Sequence, residues 1–472
     1  MSRRRTANPD PTRRDFLWHA ACAAVGATAM ASTVWDLRFI NATFAQQATA
    51  ATDYKALVCL FLYGGNDANN FLVPTDSTTY SQYTSARGSL ALPAPGTTDS
   101  TGNNIGLLPL NPLTSDGHTY GLHPSCTELA SLFNSGRLAL LANVGTLVGP
   151  ITRTQYLNKT AAVPPQLFSH NDQQVQWQTS VPDQQSRTGW GGRCADLLYS
   201  LNNNNTVSMS ISLAGSNTWE VGNVVNEYNV STGGAVALSG PGTAQVQALK
   251  DLIALSHNNL FEKSFANTTT NAINNAAVVN SATAGAPTFT TAFPNTSLGN
   301  QLKMIAKLIY GRNNLGHNRQ IYFAAISGYD LHGSEGSYTG SHANLLRDLS
   351  QSLKAFYDAT AQLGVADSVV TFTASDFGRT FPVNGGAGSD HGWGNHQLVM
   401  GGSVKGQNIY GTFPTLVVNG PDDTSTGRWI PTTAVDEYSA TLAKWFGVSP
   451  GNLSTIFPNL SRFAHQDLGF MG

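Results

Sequence analysis

Short apolar runs recur along the chain at 56–63, 137–144, 207–213, 319–327, 368–373 and 397–400, and each has the length of a β-strand. Amphipathic stretches lie between them. Strands alternating with amphipathic segments predict a largely parallel central sheet with helices on both faces. The spacing predicts a helix over 341–363, with Leu345, Leu346, Leu349, Leu353, Phe356 and Tyr357 on one face and Gly364 in the stop position. A second helix is expected from 433 to 446, with Asp436 three residues past Thr433 as a capping partner and Gly447 at the end. No internal repeat is visible. Between about 200 and 300 the sequence turns to Asn, Thr, Ala and Gly, including Asn202 to Asn205 and 267–287, which reads as a loop-rich insertion over the site.

The first 45 residues read differently. Arg13 and Arg14 stand directly before an Ala-rich apolar stretch from Trp18 to Trp35, and Thr43-Phe44-Ala45 offers small residues for cleavage. The stretch is weakly apolar for a membrane span, which needs about 20 strongly apolar residues. Residues 1–45 therefore read as a twin-arginine export signal, with a retained anchor as the alternative, and residues 46–472 as a single domain. The expected location is the periplasm or the extracellular space, with the twin-arginine machinery as a partner and no stable membrane span after cleavage.

Composition narrows the function classes. The chain has 472 residues, 41% hydrophobic and 11% charged, so it can bury a core while Asn, Thr, Ser and Gly wet the surface. Lys plus Arg number 26 against 28 Asp plus Glu, a net charge of -2 that gives no footprint for nucleic acid. Cys59, Cys126 and Cys194 follow the signal, and their spacing excludes a zinc ribbon and a disulfide scaffold. Cys59 reads as a core residue, and a Cys126–Cys194 disulfide is left open.

Three of the apolar runs end alike, in glycine or serine followed by aspartate: Gly64-Gly65-Asn66-Asp67, Ser327-Gly328-Tyr329-Asp330-Leu331-His332 and Ser375-Asp376-Phe377-Gly378-Arg379. In an open parallel sheet such residues gather beyond the carboxyl ends of the strands, where aspartates brought together call for a cation. The glycine-rich segment 385–396 adds Asp390, His391 and His396, and imidazole with carboxylate suits a transition metal. Ser169-His170 supplies a hydroxyl that serves either as a helix N-cap or as a nucleophile. Gly447-Val448-Ser449-Pro450-Gly451 matches a nucleophile elbow in letters only, because it follows a helix and contains Pro450.

In this order, the twin-arginine start, Gly64 to Asp67, Ser169-His170, Gly328 to His332, Ser375 to Arg379 and Asp390-His391-Gly392 resemble the bacterial domain-of-unknown-function 1501 family. That family is similar to the alkaline phosphatase and sulfatase superfamily. The resemblance implies an alkaline-phosphatase-like α/β sandwich and an exported, metal-dependent hydrolase of phosphate or sulfate esters on small molecules or polysaccharides. It implies a divalent metal, whether zinc, manganese, calcium or magnesium. By that resemblance Asp67, Asp330, His332, Asp376 and His391 are metal ligands, joined by Asp390 and His396. Ser169 is the nucleophile, with His170 and Arg379 as further catalytic candidates, Arg379 either neutralising charge on the transferred group or pairing with a carboxylate on the surface. The chain also departs from the superfamily. Asp330 and His332 are two apart instead of four, and Phe377 stands where a histidine is usual, which leaves one metal or none. No sulfatase Cys-x-Pro-x-Arg signature is present. The alternative is a non-catalytic surface or polysaccharide-binding protein with a degenerate metal site.

Overall fold

A computed structural model describes residues 53–235, 242–255 and 259–472, so the expected export signal lies outside the described residues. The six apolar runs become strands, the third of them much shortened, and three two-residue strands join them: β1 (Lys55–Tyr63), β2 (Leu138–Gly145), β3 (Ser210–Ser212), the added β4 (Tyr228–Asn229), β5 (Arg319–Ser327), β6 (Val369–Ser375), β7 (Asn395–Gly401), and the added β8 (Ile409–Tyr410) and β9 (Thr433–Ala434). Among the described residues they form one nine-stranded sheet in the order β8-β2-β7-β6-β1-β5-β3-β4, with β9 beside β2. Every pairing is parallel except those of β7 with β2 and β6. β1 is central, with Leu57 facing Ile321 of β5 on one side and Val370 of β6 on the other.

Nine helices of eight residues or more accompany the sheet among the described residues: α1 (Ser77–Arg87), α2 (Thr127–Asn134), α3 (His170–Thr179), α4 (Trp190–Leu198), α5 (Thr243–Ile253), α6 (Leu260–Ala284), α7 (Ser297–Tyr310), α8 (Ser341–Gln362) and α9 (Val435–Phe446). Successive strand side chains point to opposite faces, and both faces are buried. Ala56, Val58, Leu60 and Leu62 of β1 pack in one core with α2, α7 and α8. Leu57, Cys59 and Phe61 pack in the other with α4 and α9. The fold is thus the expected α/β sandwich with helices on both faces. None of the described helices is long and apolar enough to cross a membrane.

Two local expectations need correction, and the cysteine pairing left open is answered. The segment expected to be loop-rich contains α5 and α6, and α6 alone runs 25 residues. Its buried stripe is Ala266, Ala276, Val279 and Ala282, small side chains that leave a faint helical period among Asn and Thr. The 433–446 helix begins at Val435, because Thr433 and Ala434 pair with β2. Its returning carboxylate is Glu437, which accepts from the Ala434 N–H at 3.0 Å, while Asp436 is buried with both carboxylate oxygens unpartnered. Cys126 and Cys194 are free and lie in the cores on opposite faces of the sheet, so they are not paired.

Candidate metal centre

β1 leads into Gly64 and Gly65, both with positive φ (112° and 80°), a conformation that costs glycine least. A Cβ on Gly64 would come within 2.4 Å of the Asp330 nitrogen, and one on Gly65 within 2.6 Å of the Phe377 ring. The missing side chains let the tips of β1, β5 and β6 touch. Asp330 consequently opens into a crevice at the carboxyl end of the sheet, with Asp376 buried beside it.

Three histidines meet Asp330 there. Nε2 of His332 lies 3.0 Å and that of His391 3.3 Å from Asp330 Oδ1, while Nε2 of His170 lies 3.5 Å from Oδ2. In each ring the opposite nitrogen is held from outside. His170 Nδ1 donates to Asp376 Oδ2 at 2.6 Å, His332 Nδ1 to Asp390 Oδ1 at 3.0 Å, and His391 Nδ1 to the Phe168 carbonyl at 2.7 Å. A carbonyl accepts only, so the His391 proton is on Nδ1 and its Nε2 lone pair faces the cluster. The two Nε2 atoms of His332 and His391 are 2.9 Å apart, a separation that two lone pairs tolerate only with a proton or a metal cation between them. His170 Nε2 is buried and has no hydrogen-bond partner. Ligand atoms of His170, Asp330 and His391 all fall within 4.8 Å of one another. Imidazoles with Nδ1 fixed by carboxylate or carbonyl and Nε2 turned inward match the way histidines are oriented around a metal ion, so these residues fit a divalent cation.

The surroundings keep the inner groups in their ligand forms. Burial works to raise the Asp330 carboxyl, but Arg379, donating to Oδ1 at 2.9 Å, holds it below the usual carboxylate range. Burial lowers the His391 imidazole, which favours the neutral ring. Asp390 is opposed by burial yet also held low, by Asn384 and His332. Arg379 itself is buried and held through all three of its nitrogens, giving further bonds to the Gly64 carbonyl and to the carbonyl and hydroxyl of Ser389. It neutralises Asp330 and, with its side chain fully buried, offers no edge to a substrate.

Other residues singled out in the sequence stand apart. Asp376 is completely buried and accepts from Gln174 Nε2 at 2.8 Å and Gly64 N–H at 3.3 Å, which puts it behind His170. Asp390 stands likewise behind His332. Asp67 is buried against Arg87 of α1, beside Glu335 and His342, and caps the short turn after it. His396 lies inside the sheet, accepting from the Asn143 N–H at 3.0 Å and stacked on Phe413. Ser169 occupies the residue before α3 but makes no capping bond; its hydroxyl donates to Asp172 Oδ2 at 2.6 Å. Phe168 was not foreseen. Its positive φ of 72° aims its carbonyl at His391, a strained conformation of the kind that collects at functional sites. Glu335 and Gln174 carry no sequence signal either: Glu335, in Gly333-Ser334-Glu335-Gly336, lies past the strand-end motif, and Gln174 lies inside α3.

No curated protein matches the chain. Among solved structures it is similar to Ps i-CgsB, alone and in complex with k-i-k-neocarrahexaose, in each case at 9% identity over 88% of this chain and 78% of that one, with a TM-score of 0.36. It is similar also to PsFucS1 sulfatase from Pseudoalteromonas sp., at 11% identity over 88% of this chain and 73% of that one, with a TM-score of 0.33. The sequence profile of DUF1501, described as a protein of unknown function, matches residues 54–428, from the start of β1 past the whole histidine cluster, and the chain therefore belongs to that family.

Proposed function

We propose that the chain is a metal-dependent hydrolase of phosphate or sulfate esters, exported through the twin-arginine signal at its start. The observation that carries the reading is the convergence of three Nε2 atoms on the Asp330 carboxylate, each ring fixed from behind. A divalent cation held by His170, Asp330, His332 and His391 would supply Lewis acidity toward the ester oxygens. Ser169 stands between Phe168, which holds His391, and His170. Its Oγ attacks phosphorus or sulfur while its proton passes to Asp172 Oδ2, the acceptor it already touches at 2.6 Å. The bond to the leaving oxygen breaks with its electron pair, the leaving alkoxide takes up, through water, the proton held by Asp172, and a second water then hydrolyses the ester on Ser169, its OH going to phosphorus or sulfur and its other proton to Ser169 Oγ.

The test is metal analysis of the purified protein together with a panel of phospho- and sulfoesters. One bound divalent ion per chain, and turnover that a chelator removes and the ion restores, is the expected outcome. A second reading, a non-catalytic surface protein with a reduced metal site, draws on the pairing of Asp67 with Arg87 in place of a cation. A folded protein with no turnover on any ester would favour it.

A further inference from the structure

Resting on the ester-hydrolase reading, we propose that Arg428 is the anion-binding residue of the site and selects substrates whose transferred group is a tetrahedral oxyanion. Asp330, Asp376 and Asp390 carry three negative charges around the histidines, and Arg379 returns one, so a divalent ion only brings the cluster to neutrality. A phosphate or sulfate group arriving there needs a further cation.

Arg428 is built to be that cation. Its Nε donates to the His391 carbonyl at 2.7 Å, and its guanidinium lies 4.5 Å over the Phe168 ring. Those two residues are the ones that join in the Phe168–His391 bond, so the guanidinium is seated on the rim of the cluster. Among the described residues, neither Nη group of Arg428 has a hydrogen-bond or ion-pair partner, whereas both Nη groups of the buried Arg379 are bonded. The loop that presents it is rigid. Buried Asp423 accepts from the backbone N–H groups of Ser425 at 3.0 Å, Gly427 at 2.8 Å and Arg428 at 3.0 Å through Oδ1, and from that of Asn419 at 2.7 Å through Oδ2. A guanidinium pinned at Nε and by one face, with both Nη groups free, presents the two-pronged donor edge that matches two oxygens of an oxyanion. Stacking on Phe168 holds that edge in place without consuming a donor.

The experiment measures binding of inorganic phosphate and of sulfate to the metal-loaded chain by calorimetry, with bound metal counted in the same samples. Arg428→Met should lower affinity for the preferred anion at least tenfold with metal content and melting temperature unchanged. Arg428→Lys, which keeps the charge and loses the paired edge, should fall between. Because a variant can misfold, the unaltered protein supplies a second measurement: phosphate should protect Arg428 from phenylglyoxal, read by peptide mass mapping. Equal anion affinity in wild type and Arg428→Met, or modification of Arg428 unaffected by phosphate that is bound, overturns the assignment and leaves the hydrolase reading standing. Failure of the metal-loaded wild type to bind either anion overturns both.

Discussion

At the scale of single residues, the centre separates groups that face inward from groups that hold them. Asp376→Asn removes the carboxylate charge that fixes His170 and should weaken metal affinity by about 10- to 100-fold, measured by competition with a chelating dye. Asp330→Asn should go further and abolish stoichiometric binding. Ser169→Ala tests a different property. Since Ser169 makes no capping bond, its removal should cost less than the roughly 1 kcal/mol of a true N-cap, while turnover of a responsive ester falls to background. Near-native turnover in that variant would move the attack to water. The sequence exposed much of this shell, because Asp330, His332, Asp376, Asp390 and His391 sit in short motifs beside strand ends. It did not expose the division of labour. Whether an aspartate meets a cation, a histidine or an arginine depends on partners far along the chain, as Asp67 shows with Arg87 on α1 and Asp376 with His170 on α3.

Elements carry the next set of consequences. β1, β5 and β6 meet at their tips only because Gly64 and Gly65 lack side chains, so Gly64→Ala should push the Asp330 loop away and reduce metal affinity and melting temperature together. α9 holds a second dependence, on pH. Burial raises the Asp436 carboxyl from 3.8 to about 7, and neither oxygen has a partner. Between those values the unfolded chain releases the proton that the folded one keeps, so the stability contributed by this group is complete below about pH 4 and is lost as pH rises through 7. Asp436→Asn should therefore raise the melting temperature at pH 8 and change it little at pH 4, in paired thermal melts. The strands around these elements were legible because both faces of the sheet are buried, which makes each strand a continuous apolar run. α6 was not, since Ala and Asn side chains on a partly exposed helix give hardly any period to read.

For the molecule as a whole, a cation bound only by the folded chain would stabilise all of it by mass action, so chelation should lower the melting temperature cooperatively, as calorimetry can follow. Replacing Arg13 and Arg14 by Lys should keep the precursor in the cytoplasm, as cell fractionation would show. The two-sided sheet itself could be foretold from alternating runs, whereas the packing of its nine strands into a single order depends on long-range pairing that no local pattern encodes. That two-sidedness reaches the cysteines as well. Cys59 and Cys194 are sealed in one core and Cys126 in the other, all three as thiols. Each is silent toward an alkylating reagent until its own layer of helices lifts off the sheet. The natural chain thus carries a pair of built-in clocks: labelling rates followed cysteine by cysteine would tell whether the two helical layers come away together or one before the other, with no probe added to the protein.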